Sequence, residues 1–460
     1  MGERILKLVM DILSTPAVLV AMISLVGLLV LRKPTSEIIK GTIKTFLGFL
    51  VISAGANVIV GSLDPFGKMF QEAFNVNGVV PNNEAIVAMA LSEYGSTTAL
   101  IMFFGMFANI LIARFTRLKY IFLTGHHTLY MACMLAVILM VSGLAGAPLI
   151  IVGALALGLI MAVFPAICQP FMRKITGNDQ VGFGHFSSLG YVLSGLVGKV
   201  VGKGSRSTED IKFPKGLGFL RDSSVTISLT MTILYVIIAL FAGPTYVEGE
   251  LSGGTHYLVF SLIQAITFAA GVFVILTGVR LVLAEIVPAF KGISTKLVPN
   301  SKPALDCPIV FPYAPNAVLI GFFCSFLGGI VGMIFLGFAG AVIILPGVVP
   351  HFFTGATAGV FGNATGGIRG ATIGSFANGL LITFLPVFLM PVLGDLGFAS
   401  TTFSDADFAA SGILLGNIAN YLGATGVTVT VVGLVLLAVA FNFFKKGKAD
   451  HNDPKNIGAY

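Results

Sequence analysis

Residues 147–167 read APLIIVGALALGLIMAVFPAI, an apolar run without a single charged side chain. A helix needs about 20 such residues to cross the hydrocarbon core of a bilayer. Outward from this run, the chain alternates long apolar stretches with short polar ones. Hydrophobic residues make up 56% of the 460 residues and charged residues only 10%, whereas soluble domains carry roughly 25% charged residues. The sequence therefore predicts an all-α polytopic membrane protein that resides in a lipid bilayer.

We expect about eleven transmembrane helices and two re-entrant segments. The approximate limits of the helices are 16–31, 38–60, 97–115, 120–143, 147–167, 225–243, 256–287, 316–338, 340–362, 371–394 and 426–444. The stretches 182–200 and 406–423 are apolar and glycine-rich but short. Irregular backbone of this kind is tolerated at membrane depth only when it is buried in protein or lines a cavity.

The net charge of +7 is distributed among the loops. Lys and Arg follow the odd-numbered spans, whereas segment 394–408 carries three aspartates and no basic residue. By the positive-inside rule, the N-terminus lies outside and the C-terminus is cytoplasmic. The basic residues make no continuous face, so no nucleic-acid partner is expected. The first apolar run is interpreted as a retained helix and not as a signal peptide.

The chain also repeats itself at a nearly constant shift. Leu123-Thr124-Gly125 matches Leu345-Pro346-Gly347, and Phe186 and Gly190 match Phe408 and Gly412, each at a shift of 222. A constant shift over several segments indicates an internal repeat. Five predicted spans separate a helix from its copy, so the copies are inverted. We predict three units: 1–222 as the first repeat (scaffold helices, then core helices and a re-entrant segment), 223–424 as the second, and 425–460 as a final transmembrane helix with a cytoplasmic tail.

Ionisable residues inside apolar segments are the candidates for a binding site. Glu84 and Asp306 open equivalent segments of the two repeats, His126 and His127 follow Gly125, and His185 lies in the first re-entrant stretch. The simpler alternatives are acids that cap helices and neutral histidines bonded to nearby carbonyl groups. Asp407, the repeat partner of His185, is interpreted as a possible helix cap on the outside and is left out of the site.

The sequence contains no sign of catalysis or of a cofactor. The phosphate-binding pattern GxxxxGK[ST] is absent, and the four cysteines have no paired metal-ligand spacing. We therefore expect no catalytic residue, no cofactor and no bound metal. The chain is expected to transport a solute and not to act as an enzyme on its own.

Several segments resemble one family over nearly the whole chain. They include Leu123-Thr124-Gly125-His126, Gly184-His185, Asp306-Cys307 and Ala314-Pro315-Asn316-Ala317-Val318. In these segments the chain resembles the membrane (IIC) component of the bacterial phosphotransferase system (PTS) for L-ascorbate. The resemblance implies a homodimer in the bacterial cytoplasmic (inner) membrane. Each protomer has a core that carries L-ascorbate or a related sugar acid past a scaffold, in an elevator-type movement. A cytoplasmic IIB protein, itself supplied by IIA, phosphorylates the arriving substrate.

The resemblance also implies which residues bind the substrate. By motif they are Asn83, Glu84, His126, His127, Thr128, Leu129, Tyr130, His185, Phe186 and Asp306. The chain departs from the family pattern at four of them. Gln is expected at the positions of Tyr130 and Phe186, and a Thr-Tyr pair at Asn83-Glu84. These departures leave a PTS permease for a neutral sugar or polyol open as an alternative substrate class. An ion-coupled secondary transporter on a related fold is a separate alternative.

Overall fold

The computed structural model describes residues 16–74, 78–212, 216, 219, 222–398 and 401–441. Helices dominate this part of the chain. In order, their bounds are α1 Pro16–Val30, α2 Thr35–Phe74, α3 Asn83–Phe115, α4 Gly125–Val141, α5 Gly146–Thr176, α6 Ser188–Val201, α7 Ser223–Ala242, α8 Tyr257–Leu297, α9 Pro315–Phe338, α10 Ala356–Leu389 and α11 Ala406–Ala440. The predicted sides of the two termini concern residues 1–15 and 442–460, which lie outside the described residues, as does the predicted cytoplasmic tail.

Several of these helices have the length and apolar character of membrane spans. Within the described part of the chain, seven helical segments meet this condition, and eight do if the bent pair Ile227–Ala242 and Pro244–Leu251 counts as one span. The protein is therefore a helical polytopic membrane protein. The expected number of eleven spans stays a prediction.

Two of the long helices are interrupted by glycines with positive φ. Gly367 has φ 56° and ψ −145°, and Gly423 has φ 60° and ψ −162°, a region that side chains with a Cβ avoid. At Gly367 the chain folds back, so that Gly362 packs against the Gly370 carbonyl group. The predicted spans 340–362 and 371–394 thus meet at a tight glycine break. Gly423 separates the predicted re-entrant stretch 406–423 from the last helix.

Among the described residues, six short strands stand at the breaks between helices and form two parallel sheets. They are β1 Gly78–Pro81, β2 Tyr120–Phe122, β3 Gly182–Phe183, β4 Lys302–Leu305, β5 Ile343–Ile344 and β6 Thr401–Thr402. One sheet has the order β2-β4-β3, and the other has the order β5-β1-β6. In the first, Phe122 and Gly182 are both in register with Ala304. In the second, Val79 is in register with Ile344 and Val80 with Thr401.

The predicted start of the fourth span at residue 120 is wrong. Residues 120–122 form strand β2 and not the beginning of a helix. Helix α4 begins only at Gly125, so His126 and His127 lie in its first turn and not in the middle of a helix. The strand is specified by its partner β4, which lies about 180 residues further along the chain. A local apolar pattern contains no information about that partner.

The helices pack in two groups. In the peripheral group, α2 runs along α8 and contacts α1 and α7. In the central group, α3 packs on α4 and α5, α10 packs on α6 and α9, and α11 contacts α4, α5 and α10. Glycines permit the closest contacts in the central group. At the α9–α10 crossing, Gly359 lies against the backbone of Gly321 and Ala317, as is common where membrane helices approach closely.

We predict that Gly359→Ala lowers the thermal unfolding temperature of the purified protein by several degrees. A Cβ at this position would overlap the Ala317 carbonyl oxygen, and overpacking of this kind costs about 1–3 kcal/mol. The matched control is Gly433→Ala in α11, where a Cβ would meet nothing within 4 Å. Its unfolding temperature should be unchanged or slightly higher, because Ala favours a helix by about 1 kcal/mol over Gly. Equal effects of the two substitutions would contradict the packing described here.

Candidate functional site

Polar residues that follow the strands of the two small sheets line one cavity. Asn83 and Glu84 follow β1, Asp306 follows β4, and Asp405 comes shortly after β6. His185 follows β3, while the two histidines of α4 come soon after β2. Because each sheet is parallel, its strands end at the same edge. Residues far apart in the sequence therefore meet at the strand ends.

The cavity is partly open to solvent, and its empty space is about 490 Å³ when the open part is counted. Six of the ten residues implied by the family resemblance line it: Asn83, Glu84, His126, His127, His185 and Asp306. The other lining residues are Val349, Pro350, Phe353, Thr354, Ser404 and Asp405. The wall thus combines three imidazoles, three carboxylates and a small apolar surface. Such a surface offers many hydrogen bonds to a ligand that is rich in oxygen.

Four of the implied residues are not among those that line the cavity. The Thr128 hydroxyl donates to the Thr124 carbonyl oxygen at 3.0 Å, and the side chains of Leu129 and Tyr130 are buried in the apolar core. Phe186 stacks on Phe122 with ring centroids 4.5 Å apart. The Tyr130 ring packs beside His126 and His127, and the Phe186 ring packs beside His127.

Glu84 lines the cavity, and Asn82, two residues earlier, caps the helix. The N-cap of α3 is Asn82, whose side-chain oxygen accepts from the Ala85 N–H at 2.7 Å. Asn83 in turn accepts from the Ser404 N–H at 2.9 Å, which joins the start of α3 to the segment after β6. The alternative of a helix-capping role therefore does not apply to Glu84.

One carboxylate oxygen of Asp306 bonds to the backbone, and the other faces the cavity. Its Oδ1 accepts from the Cys307 N–H at 2.6 Å, a cap on a single turn of 3-10 helix. Its Oδ2 lies 3.7 Å from His126 Nε2, and its side chain is about a quarter exposed. One oxygen is therefore held in place while the other faces the site.

Asp405 belongs to this cavity and was missed by the sequence analysis. It was counted there among the acids of an exterior loop, yet its side chain is only 3% exposed. Its Oδ2 lies 3.9 Å from His127 Nε2 and 3.8 Å from His185 Nε2. The available signal was the position of two aspartates directly before the apolar stretch 406–423.

Asp407 is a helix cap, although not in the way the sequence suggested. It lies in the first turn of α11 but caps α6, accepting from the N–H groups of Ser188 at 2.7 Å and Leu189 at 2.9 Å. It is fully buried, so it does not lie in an exposed exterior loop. This interaction joins the two predicted re-entrant stretches directly.

An ion cluster at the end of α5 stabilises the β2-β4-β3 sheet. Asp179 accepts hydrogen bonds from Gln169 and Arg173, both at 2.8 Å, and pairs with Lys302 of β4 at 2.6 Å. Partial burial alone would raise the pKa of Asp179. The bonds from Arg173, Lys302 and Gln169 outweigh this and hold the pKa well below its ordinary value. The cluster therefore holds β4 in place, the strand that directly precedes Asp306.

Comparison with known proteins identifies similar chains. A family model described as the PTS system sugar-specific permease component (EIIC-GAT) matches residues 11–407. A Mycoplasma pneumoniae protein described as the ascorbate-specific PTS system EIIC component is 26% identical over 457 residues. That alignment covers 88% of this chain and 67% of the relative.

We predict that Asp407→Ala lowers stability more than the matched substitution Asp222→Ala. Both aspartates accept two backbone N–H bonds at a helix start, but Asp222 is exposed. Loss of an exposed cap costs about 1 kcal/mol, whereas buried donors left unpaired cost about 1–3 kcal/mol each. Thermal unfolding in detergent measures both variants. A larger loss at Asp222 would show that the α6–α11 junction is not held by Asp407.

Proposed function

The chain belongs to the family of PTS system sugar-specific permease components, and we propose that it carries L-ascorbate or a related sugar acid. Members of this family are transport subunits of a multi-pass bacterial inner-membrane system and are not catalytic by themselves. Their substrates are sugars, and their partners are the soluble IIB and IIA proteins. In this proposal, IIB phosphorylates the ascorbate that the chain brings to the cytoplasmic side.

The cavity at the strand ends is the observation that carries the proposal. Imidazole N–H groups can donate to ring and enediol oxygens, while the carboxylates can accept from hydroxyl groups. The proposed substrate-binding residues are the ten implied by motif. Asn83, Glu84, His126, His127, His185 and Asp306 would make direct contact, and Thr128, Leu129, Tyr130 and Phe186 would support them. The ascorbate-specific relative is consistent with this substrate.

One observation favours a second candidate, a neutral sugar or polyol. Glu84, Asp306 and Asp405 all line the cavity, and a carboxylate near an anionic ligand is unfavourable, more so at low dielectric. A neutral polyol would use the same donors and acceptors without this repulsion. The two candidates therefore share a mechanism of transport and differ in the charge of the ligand.

The arrangement of the strands supports the proposed inverted repeats. At shifts between 219 and 224 residues, β1 corresponds to β4, β2 to β5 and β3 to β6. Under this correspondence, the order β2-β4-β3 becomes β5-β1-β6. Each sheet then takes its centre from one repeat and its edges from the other. The repeats would be 1–222 and 223–424, followed by 425–460, with the site at their interface.

An elevator-type movement is consistent with the two groups of helices. An apolar cavity separates them, lined by Phe66 and Phe70 of α2 and Met231 of α7 on one side, and by Met333 of α9 and Val348 on the other. An interface without interlocking polar contacts at this cavity would let the central group slide against the peripheral group. We further propose a homodimer with its N-terminus outside and its C-terminus cytoplasmic. Cysteine labelling at each end of the chain tests the orientation.

Asp306→Asn should weaken binding of L-ascorbate about two- to thirtyfold, since a hydrogen bond to a charged acceptor contributes about 1.5–3 kcal/mol and a neutral one about 1. Asn retains the shape of the side chain, so insertion and folding should survive. Calorimetry on the purified protein measures binding, with Asp64→Asn as the control. Asp64 forms an exposed pair with Lys68 and is outside the cavity lining. Unchanged binding at Asp306→Asn would assign that carboxylate to capping alone.

Concentrative uptake should require the soluble phosphoryl relay. The chain has no nucleotide-binding motif, and the family works with IIB and IIA. Uptake of labelled ascorbate and of a neutral polyol is compared in cells with and without the general PTS phosphotransfer proteins. Loss of accumulation is expected without them. If accumulation persists and instead collapses with the ion gradient, the chain is an ion-coupled carrier.

A further inference from the structure

Asp405 is a buried carboxylate to which the proposed function has so far assigned no role. It stands at the N-cap position of α11, yet its side chain makes no capping hydrogen bond among the described residues. The Ala406 N–H donates to the Ser187 hydroxyl instead, at 3.2 Å. Oδ1 of Asp405 accepts from the Ser404 hydroxyl at 2.8 Å. The side chain is thus turned away from the helix and towards the cavity.

The other carboxylate oxygen faces two histidines across a gap. Oδ2 lies 3.9 Å from His127 Nε2 and 3.8 Å from His185 Nε2, and the three atoms all lie within 4.8 Å of one another. A direct N–H···O bond requires about 2.7–3.2 Å, so none of these pairs is bonded. A single oxygen atom placed over the centre of the triangle would be within hydrogen-bonding reach of all three.

The hydrogen bonds behind the two rings determine which nitrogens carry protons. His127 Nδ1 accepts from the Phe186 N–H at 3.4 Å, so the proton of the neutral ring is on Nε2. His185 Nδ1 lies 2.7 Å from the Tyr191 hydroxyl. That hydroxyl has one further partner in the described structure, the Cys307 thiol at 3.7 Å. Sulfur is a weak acceptor, so we assign the hydroxyl proton to the bond with Nδ1. This assignment places the ring proton of His185 on Nε2.

Two N–H donors and one carboxylate acceptor then converge on the same point. An alcohol hydroxyl has one O–H and two lone pairs, which is the complement of this set. We propose that His127, His185 and Asp405 form a receptor for one un-ionised alcohol hydroxyl of the transported substrate. This inference rests on the proposed function and specifies which chemical group occupies this part of the cavity.

The receptor discriminates against two other occupants. An ionised enediol oxygen has no proton to give to Asp405. In ascorbate, the receptor therefore takes a hydroxyl of the side chain and not the ring enediol, which leaves the enediol for His126 and its surroundings. A divalent cation would need a free lone pair on both Nε2 atoms, and the two tautomers place protons there.

The test is a cycle that combines one change in the protein with one change in the ligand. Calorimetry on the purified full chain compares L-ascorbate with its analogues lacking the C5 or the C6 hydroxyl, and galactitol with its monodeoxy analogues. One deoxy analogue should bind the unaltered protein about tenfold more weakly than its parent. Asp405→Ala should weaken the parent by a similar factor and leave the affinity for that analogue nearly unchanged. Asp64→Asn is the control and should bind like the unaltered protein.

The alternatives give different results. If the affinity losses from Asp405→Ala and from removal of the ligand hydroxyl are additive, the receptor is overturned while the proposed function stands. The same holds if all deoxy analogues bind the unaltered protein as well as their parents do. The deoxy comparison uses the unaltered protein, so it remains decisive if Asp405→Ala does not fold. A Zn²⁺ titration that fills one site, lost in Asp405→Ala, would replace the receptor with a cation site. If none of the probes binds the unaltered protein, the proposed function fails and the receptor with it.

Discussion

Backbone hydrogen bonding at the helix breaks is the constraint on which the rest of the structure depends. A membrane protein cannot leave N–H and C=O groups unpaired at membrane depth, yet a binding site inside helices requires the helices to be interrupted. Six short parallel strands meet both demands here. Each strand pairs the interrupted backbone, and the chain leaves it with polar side chains such as Asp306 and His185. The breaks are therefore stabilised by the same contacts that assemble the site.

The charge of the site follows from this arrangement. Helix starts and strand ends present free N–H groups, and buried acids satisfy some of them: Asp407 caps α6, and Asp306 caps the turn at Cys307. Other polar groups remain directed at the cavity, including Asp405 and the histidines. A ligand that both donates and accepts hydrogen bonds suits such a wall better than a ligand of one polarity. This is the physical basis for proposing a polyhydroxylated substrate.

Much of the helical architecture could be predicted from apolar runs, because a membrane span of about 20 residues leaves a strong local signal. The candidate residues Glu84, His126 and His185 were also accessible, as ionisable groups within apolar sequence. The six strands were not, because segments of two to four residues have no detectable periodicity and their partners lie far along the chain. Asp405 was missed for a related reason. A loop acid and a buried acid look alike in sequence, and only the pairing of β6 with β1 brings residue 405 into the protein.

The central claim is that the ends of both sheets together form the substrate site. A structure of the purified chain in complex with L-ascorbate tests it most directly. Ligand density is expected in the cavity between His126 and Asp306 on one side and Glu84 and Asp405 on the other, in contact with residues that follow both sheets. Density in the apolar cavity between the two groups of helices, with the strand-end cavity empty, would contradict it.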